Sequence, residues 1–265
     1  MSDTKGNSYT RYPMGDRDKD MHRPTVVVIG ANEHGPQGDP REPAIICARM
    51  AKDLCECRRA DNWMLHHLKN NCMVVLVPVI NPYGFTNGQG TGAQDGYYNA
   101  NGVNINRNYD CPGWGLETNA GPAGEYGGSE NETQYFMNTI SEPNSAVAIS
   151  IHCLGYTSGA NDGLCHYQGN GFNAEKLALI AETMVANYTL RVTSYSDAPL
   201  ATTAKSPTYI TQAGAVGGII EMQAREGKMG EEGAALHTAR IMEANYTMLL
   251  QCIQMWLTDY AETEQ

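Results

Sequence analysis

The chain has 265 residues, with 18 Lys and Arg against 29 Asp and Glu, for a formal net charge of −11. Its composition, 42% hydrophobic and 18% charged, is that of a globular protein, and the length suits a single α/β domain. The acidic balance argues against a nucleic-acid partner or an anionic membrane surface, since both need a positive patch, and no apolar run approaches the ~20 residues of a membrane span.

Residues 1–24 are polar and read as an arm without the apolar core of a signal peptide. Thr25–Ile29 is a short, continuously apolar, β-branched run, as expected of a strand buried on both faces. A helical stretch follows from Asp39, as N-cap, and Pro40, at the first helical position, to about Leu68. Met73–Val79 is a second buried strand. Residues 81–131 are rich in Gly, Asn and Tyr, too long for a simple connection and therefore functional. Glu130–Ile140 reads as a helix, Ala146–Ile151 as a third strand and Phe172–Tyr188 as an amphipathic helix. Gly217–Met222 is a further strand and Glu232–Tyr260 a long final helix. Strands alternating with helices predict one α/β domain over residues 25–265, a twisted, mixed, mostly parallel sheet flanked by helices.

The eight cysteines are scattered, several in apolar runs, and no CxxC pair occurs. This usage suits a reducing compartment, and with no signal peptide a cytoplasmic location is expected. The stretch from Val26 to Gly35 looks superficially like a dinucleotide-binding turn. Asn32 stands where the central Gly of GxGxxG belongs, and Pro36 and Pro40 delay the helix, so nucleotide binding is not expected.

Sheets of this kind place their sites at the carboxyl ends of strands. His34 follows the first strand, Asn81-Pro-Tyr-Gly-Phe85 the second and His152 the third, while Glu221 lies near the end of the last. Two histidines and acids gathered there are the makings of a catalytic zinc site, which takes three N/O ligands and leaves a position for water. A carboxylate at the end of an apolar run is costly to bury without a task or a partner, which singles out Glu221.

Asn81-Pro-Tyr-Gly-Phe85, Gly102-Val-Asn-Ile-Asn-Arg-Asn-Tyr-Asp110, Ser150-Ile-His152 and Ile220-Glu221-Met222 resemble, in order, the motifs of the zinc carboxypeptidases of the pancreatic carboxypeptidase superfamily. The resemblance spans about residues 25–225. It implies that one Zn2+ per chain is held by His34, His152 and a carboxylate, with Glu221 the general base that activates the zinc-bound water. It implies that Asn106 and Arg107 hold the substrate's terminal carboxylate, for which the planar guanidinium fork is matched. It also implies a Tyr that closes over the substrate, here Tyr209. The implied substrate is a peptide or a small acylated amino acid. The alternatives are an amidase or deacylase of the same superfamily, acting on cell-wall peptides or N-acyl amino acids, and a member that binds peptides without cleaving them.

The sequence departs from the family pattern twice. Gln37 stands where the third ligand is expected, three residues after His34, and an amide is a poor zinc ligand. Arg41-Glu-Pro-Ala44 resembles the family's Glu and the start of its helix, which makes Glu42 the third ligand. Asp39 is the alternative ligand, and Asp39-x-x-Glu42 also has the spacing of a helix capping box. The family's further Arg, which polarises the scissile carbonyl, has no counterpart, since no Arg or Lys lies between Tyr83 and Asn106. An amide such as Asn99 or Asn101, or a distant Arg, is then needed in its place. Asp162 and Arg225 are candidates for the specificity pocket.

Overall fold

A computed structural model describes residues 12–14, 25–35, 41–56, 62–87, 97–116, 121–154, 166–170, 204–223 and 234–263. Its strands are β1 (Tyr12–Met14), β2 (Val26–Ala31), β3 (Met73–Val77), β4 (Val147–Leu154), β5 (His166–Asn170) and β6 (Val216–Gln223). They form one sheet in the order β1-β3-β2-β4-β6-β5. The inner four strands are parallel, and β1 and β5 are antiparallel edges. This is the expected α/β architecture. Within the stretch read as a polar arm, Tyr12–Met14 pair with Val74–Leu76 of β3.

The helices are α1 (Glu42–Glu56), α2 (Trp63–Asn71), α3 (Pro82–Asn87), α4 (Asn131–Ser141), α5 (Ser206–Gln212) and α6 (Ala234–Thr263). The single helix expected to reach Leu68 is two. Asn62 caps the second, its Oδ1 accepting from the Met64 and Leu65 amides at 3.0 and 3.1 Å, and that bond competes with helix continuation. The expected helix at 172–188 lies outside the described residues. Among the described residues no helix is long and apolar enough to cross a membrane.

Successive side chains of a strand point to opposite faces, so each inner strand feeds two clusters. Val27, Ile29, Val147, Ile149 and Ile151 pack with α1, α2 and α6 through Ile46, Met50, Leu68, Leu249 and Trp256. Val26, Val28, Val75 and Val77 pack on the other face with Tyr109, Phe136, Ile140 and Ile210. Gly30 is required where α4 crosses the sheet, because a Cβ there would stand 2.4 Å from the Phe136 ring. Gly217, at φ +138°, lets β6 lie against β4, where a Cβ would sit 2.0 Å from the Ala148 carbonyl oxygen. That pairing fixes the register in which His152 stands opposite Glu221.

Candidate metal centre

The chain leaves β2 through Asn32, which takes a left-handed conformation (φ 53°) that Asn tolerates better than most residues. The turn is stitched to the end of β3. Ile80 and Asn81 donate backbone bonds to Ala31 and Asn32, and Asn81 Nδ2 donates to the Glu33 carbonyl at 3.2 Å. Asn81 also receives the Gly84 amide on Oδ1 at 2.9 Å, so it starts α3 and pins the turn at once. The Asn81-Pro-Tyr-Gly-Phe85 motif is thus a structural clasp that holds the neighbouring His34.

His34 and His152 are both buried, and their rings meet edge to face with centroids 5.3 Å apart. His34 stacks on Tyr97 at 4.1 Å, and its Nδ1 lies 3.1 Å from the Tyr97 carbonyl oxygen. A carbonyl only accepts, so this contact assigns the proton to Nδ1 and the ring lone pair to Nε2. His152 comes from the end of β4, and its Nε2 lies 3.4 Å from Glu33 Oε1.

Glu33 is a residue that the sequence reasoning missed. It is fully buried and accepts a 2.5 Å hydrogen bond from the Ser150 hydroxyl. Burial alone would raise its pKa. The charge and hydrogen bonding of His152, the Ser150 hydroxyl and the charge of His34 outweigh that and hold the carboxyl below its ordinary value. Tyr109, buried beside it, has its phenol pushed well above the usual range by burial and by the Glu33 charge. An acid at the mouth of an apolar strand was the available signal. The reasoning that singled out Glu221 applies equally to Glu33.

Glu42 is buried at the start of α1. The first helical hydrogen bond runs from the Ile45 amide to the Arg41 carbonyl, which makes Arg41 the N-cap and Glu42 the first helical residue. The amide of Ala44, the third residue of the helix, is satisfied by Asn32 Oδ1 at 2.9 Å. The capping-box position for Glu42 is therefore not the one adopted. Asp39 and Gln37 lie outside the described residues, as do Asp162 and Arg225.

Arg107 lies half-buried on a single 3-10 turn (Ile105–Arg107), where its guanidinium donates to the Asn106 carbonyl at 2.7 Å. Asn106 is buried, and its Oδ1 accepts from the Ser206 amide at 3.1 Å, capping α5 from a distance. Two residues beyond Arg107, Tyr109 is fully buried in the core on that face of the sheet. Tyr209 stands on α5 with its ring 5.9 Å from that of Tyr109. Glu221 is paired through its backbone with His152, and its side chain lies outside the described part of the structure. Asn99 and Asn101 both donate from Nδ2 to Glu130 Oε2, at 2.7 and 2.8 Å. These bonds brace the loop against the start of α4.

Among the described residues no three His, Cys, Asp or Glu side chains close into a group that could hold an ion. The histidine pair itself suits zinc. Two imidazoles are buried side by side at adjacent strand ends, one backed by a carbonyl, as zinc-ligating histidines often are.

A family model described as zinc carboxypeptidase matches residues 7–258. No curated protein matches the chain. Among solved structures, carboxypeptidase A from Helicoverpa armigera is similar with a TM-score of 0.65 and 20% identity, covering 98% of this chain and 67% of that one. A metallo-carboxypeptidase from Pseudomonas aeruginosa, in complex with (2-guanidinoethylmercapto)succinic acid, has a TM-score of 0.62 and 15% identity, covering 96% and 63%. A murein-tripeptide amidase from Escherichia coli O157 has a TM-score of 0.52 and 15% identity, covering 94% and 88%. These identities speak for a shared fold. The chain spans about two thirds of the length of these two carboxypeptidases.

Proposed function

The chain belongs to the zinc carboxypeptidase family, and from that premise we propose that it is a zinc-dependent hydrolase releasing the C-terminal residue of a peptide. The observation that carries the proposal is the buried, edge-to-face pair of His34 and His152 at adjacent strand ends. His34, His152 and Glu42 would hold the metal, with Asp39 the alternative carboxylate. When bound, zinc acidifies a water and polarises the scissile carbonyl.

The chain's own residues divide the remaining work. Glu221, opposite His152 in the sheet register, takes the proton of the attacking water and returns it to the leaving amine. Arg107 clamps the terminal carboxylate with its planar fork. Asn106, whose Oδ1 is occupied by α5, contributes its Nδ2 to the same carboxylate. Tyr209 closes over the substrate from α5, a helix tied to the site through both Asn106 and Tyr109.

A pair of peptides tests this reading. A free C-terminus should be cleaved far faster than the same peptide ending in an amide, because the amide leaves the guanidinium facing a neutral group. Losing a charge-assisted contact of this kind costs about 2–5 kcal/mol, or roughly 30- to several-thousand-fold in kcat/KM. Arg107→Ala should slow the free acid by a similar factor and barely change the amide. Equal rates on the two forms would refute the carboxypeptidase reading.

The lack of any Arg or Lys between Tyr83 and Asn106 to polarise the carbonyl favours a second reading. An amidase or deacylase of cell-wall peptides or N-acyl amino acids fits it as well. Hydrolysis confined to muramyl or D-residue peptides would select it.

A further inference from the structure

We infer a second ligand site in this protein: a cavity between α1, α2 and α6 that binds an ammonium group carried on a short aliphatic chain. None of the residues that line it belongs to the motifs or to the histidine pair. The inference therefore stands apart from the hydrolase reading.

The cavity follows from the helix periodicity. Ile46, Met50 and Leu54 form the buried stripe of α1, and Leu249, Ile253 and Trp256 that of α6. Residues three and four apart share a helix face. Beside each apolar stripe runs a polar one, Arg49, Asp53 and Glu56 on α1 and Glu243, Tyr246 and Gln251 on α6. Both line an open volume of about 830 Å³, whose wall is completed by the start of α2. That volume is in the range of small-ligand sites.

The wall selects the ligand by its charge. It carries three carboxylates against one guanidinium. The guanidinium is already engaged: Arg49 Nη1 donates to Glu243 at 2.8 Å, Nε lies 3.6 Å from Asp53, and the group stacks 4.1 Å over the Tyr246 ring. Glu56 meets the exposed Lys52 at 3.9 Å, a pairing that holds little at the surface. Negative charge is thus left over for a cation.

Unmade hydrogen bonds point the same way. Tyr246 is 4% exposed, and among the described residues its hydroxyl makes no hydrogen bond; nor does the buried Oε1 of Gln251. Burial and the Asp53 carboxylate push the Tyr246 phenol above its usual range, so it stays protonated. Both oxygens can accept, and buried acceptors are costly to leave without a donor. Trp63 adds an aromatic wall. It is 61% exposed in the first turn of α2, while the adjacent Met64 and Leu65 are buried, and Trp is the best aromatic partner of a cation. Met64, Leu65 and Leu250 also line the cavity and offer apolar surface to methylenes. An ammonium ion on an aliphatic chain satisfies all of these groups together.

n-Pentylamine is the probe, with n-pentanol as its uncharged counterpart, and binding is read at neutral pH by titration calorimetry and Trp fluorescence. Trp114 is half-buried and Trp256 fully buried, which leaves Trp63 as the solvent-facing reporter. Pentylamine should bind saturably, one molecule per chain, with millimolar or tighter affinity that weakens as salt rises, and pentanol should not bind. Trp63→Ala should abolish the fluorescence change. In calorimetry, Trp63→Ala, Gln251→Leu and Glu56→Gln should each weaken binding, the first two by roughly 10-fold. Trp63 and Glu56 are exposed, so these two variants should melt like wild type by circular dichroism and keep the test sound if Gln251→Leu fails to fold. Nα-acetyl-lysine amide identifies the source: tighter binding than pentylamine assigns the site to lysine side chains of peptides, weaker binding to free amines, and either order upholds it. The absence of saturable binding, equal binding of pentanol, or unchanged pentylamine affinity in Trp63→Ala and Glu56→Gln would overturn the inference.

Discussion

The strands β2 and β4 change character along their length. Val27, Ile29, Val147 and Ile149 are fully buried among aliphatic neighbours on one face of the sheet. A few residues further on, the same strands deliver Glu33, His34, Ser150 and His152, equally buried but polar, with Ser150 hydrogen-bonded to Glu33 and the two histidine rings edge to face. The first region is held by burial, which is roughly additive in area and indifferent to orientation. The second depends on which atom faces which, because a buried polar group without its partner is costly. Substitutions in the two regions should therefore fail differently, the first in stability and the second in chemistry.

The largest effect is expected at the polar end. Glu221→Gln should keep the fold and the metal and lose ~10²–10⁴ in turnover, measured as kcat on a free-acid peptide beside zinc content. Retained turnover would remove Glu221 from the mechanism. In the apolar slab, Leu68→Ala should cost ~2–5 kcal/mol of unfolding free energy, read from the urea midpoint, with zinc affinity unchanged. Leu68 is fully buried on α2, in the cluster on one face of the sheet. A loss of metal affinity in this variant would break the proposed separation. The smallest effect belongs to Asn62→Ala, which removes the cap of α2 and should cost ~0.5–2 kcal/mol by the same urea measurement.

What could be read without coordinates follows from the same contrast. The four inner strands announce themselves as short β-branched runs, because burial on both faces leaves no polar position in the repeat. The edge strand β5, His-Tyr-Gln-Gly-Asn, carries no such run, and its pairing depends on β6 alone. The start of α2 turns on one side chain, Asn62, inside an otherwise helical pattern. His34 and His152 were legible as histidines at adjacent strand ends, where the structure brings their rings together. Glu33 was overlooked beside His34, although its burial beneath the site is the more unusual feature. The roles of Asn81, Asn99 and Asn106 in bracing loops and capping helices could not be read, because their partners are Glu33, Glu130 and Ser206, distant in sequence.

Zinc content tests the central claim most directly. Purified protein loaded with zinc and freed of excess metal should carry about one ion per chain by elemental analysis, and His34→Ala and His152→Ala should each lose most of it. Glu42→Ala should weaken binding strongly and Asp39→Ala only slightly, and the reverse order would exchange the two carboxylates. Folded protein that stays metal-free after zinc loading would contradict the account.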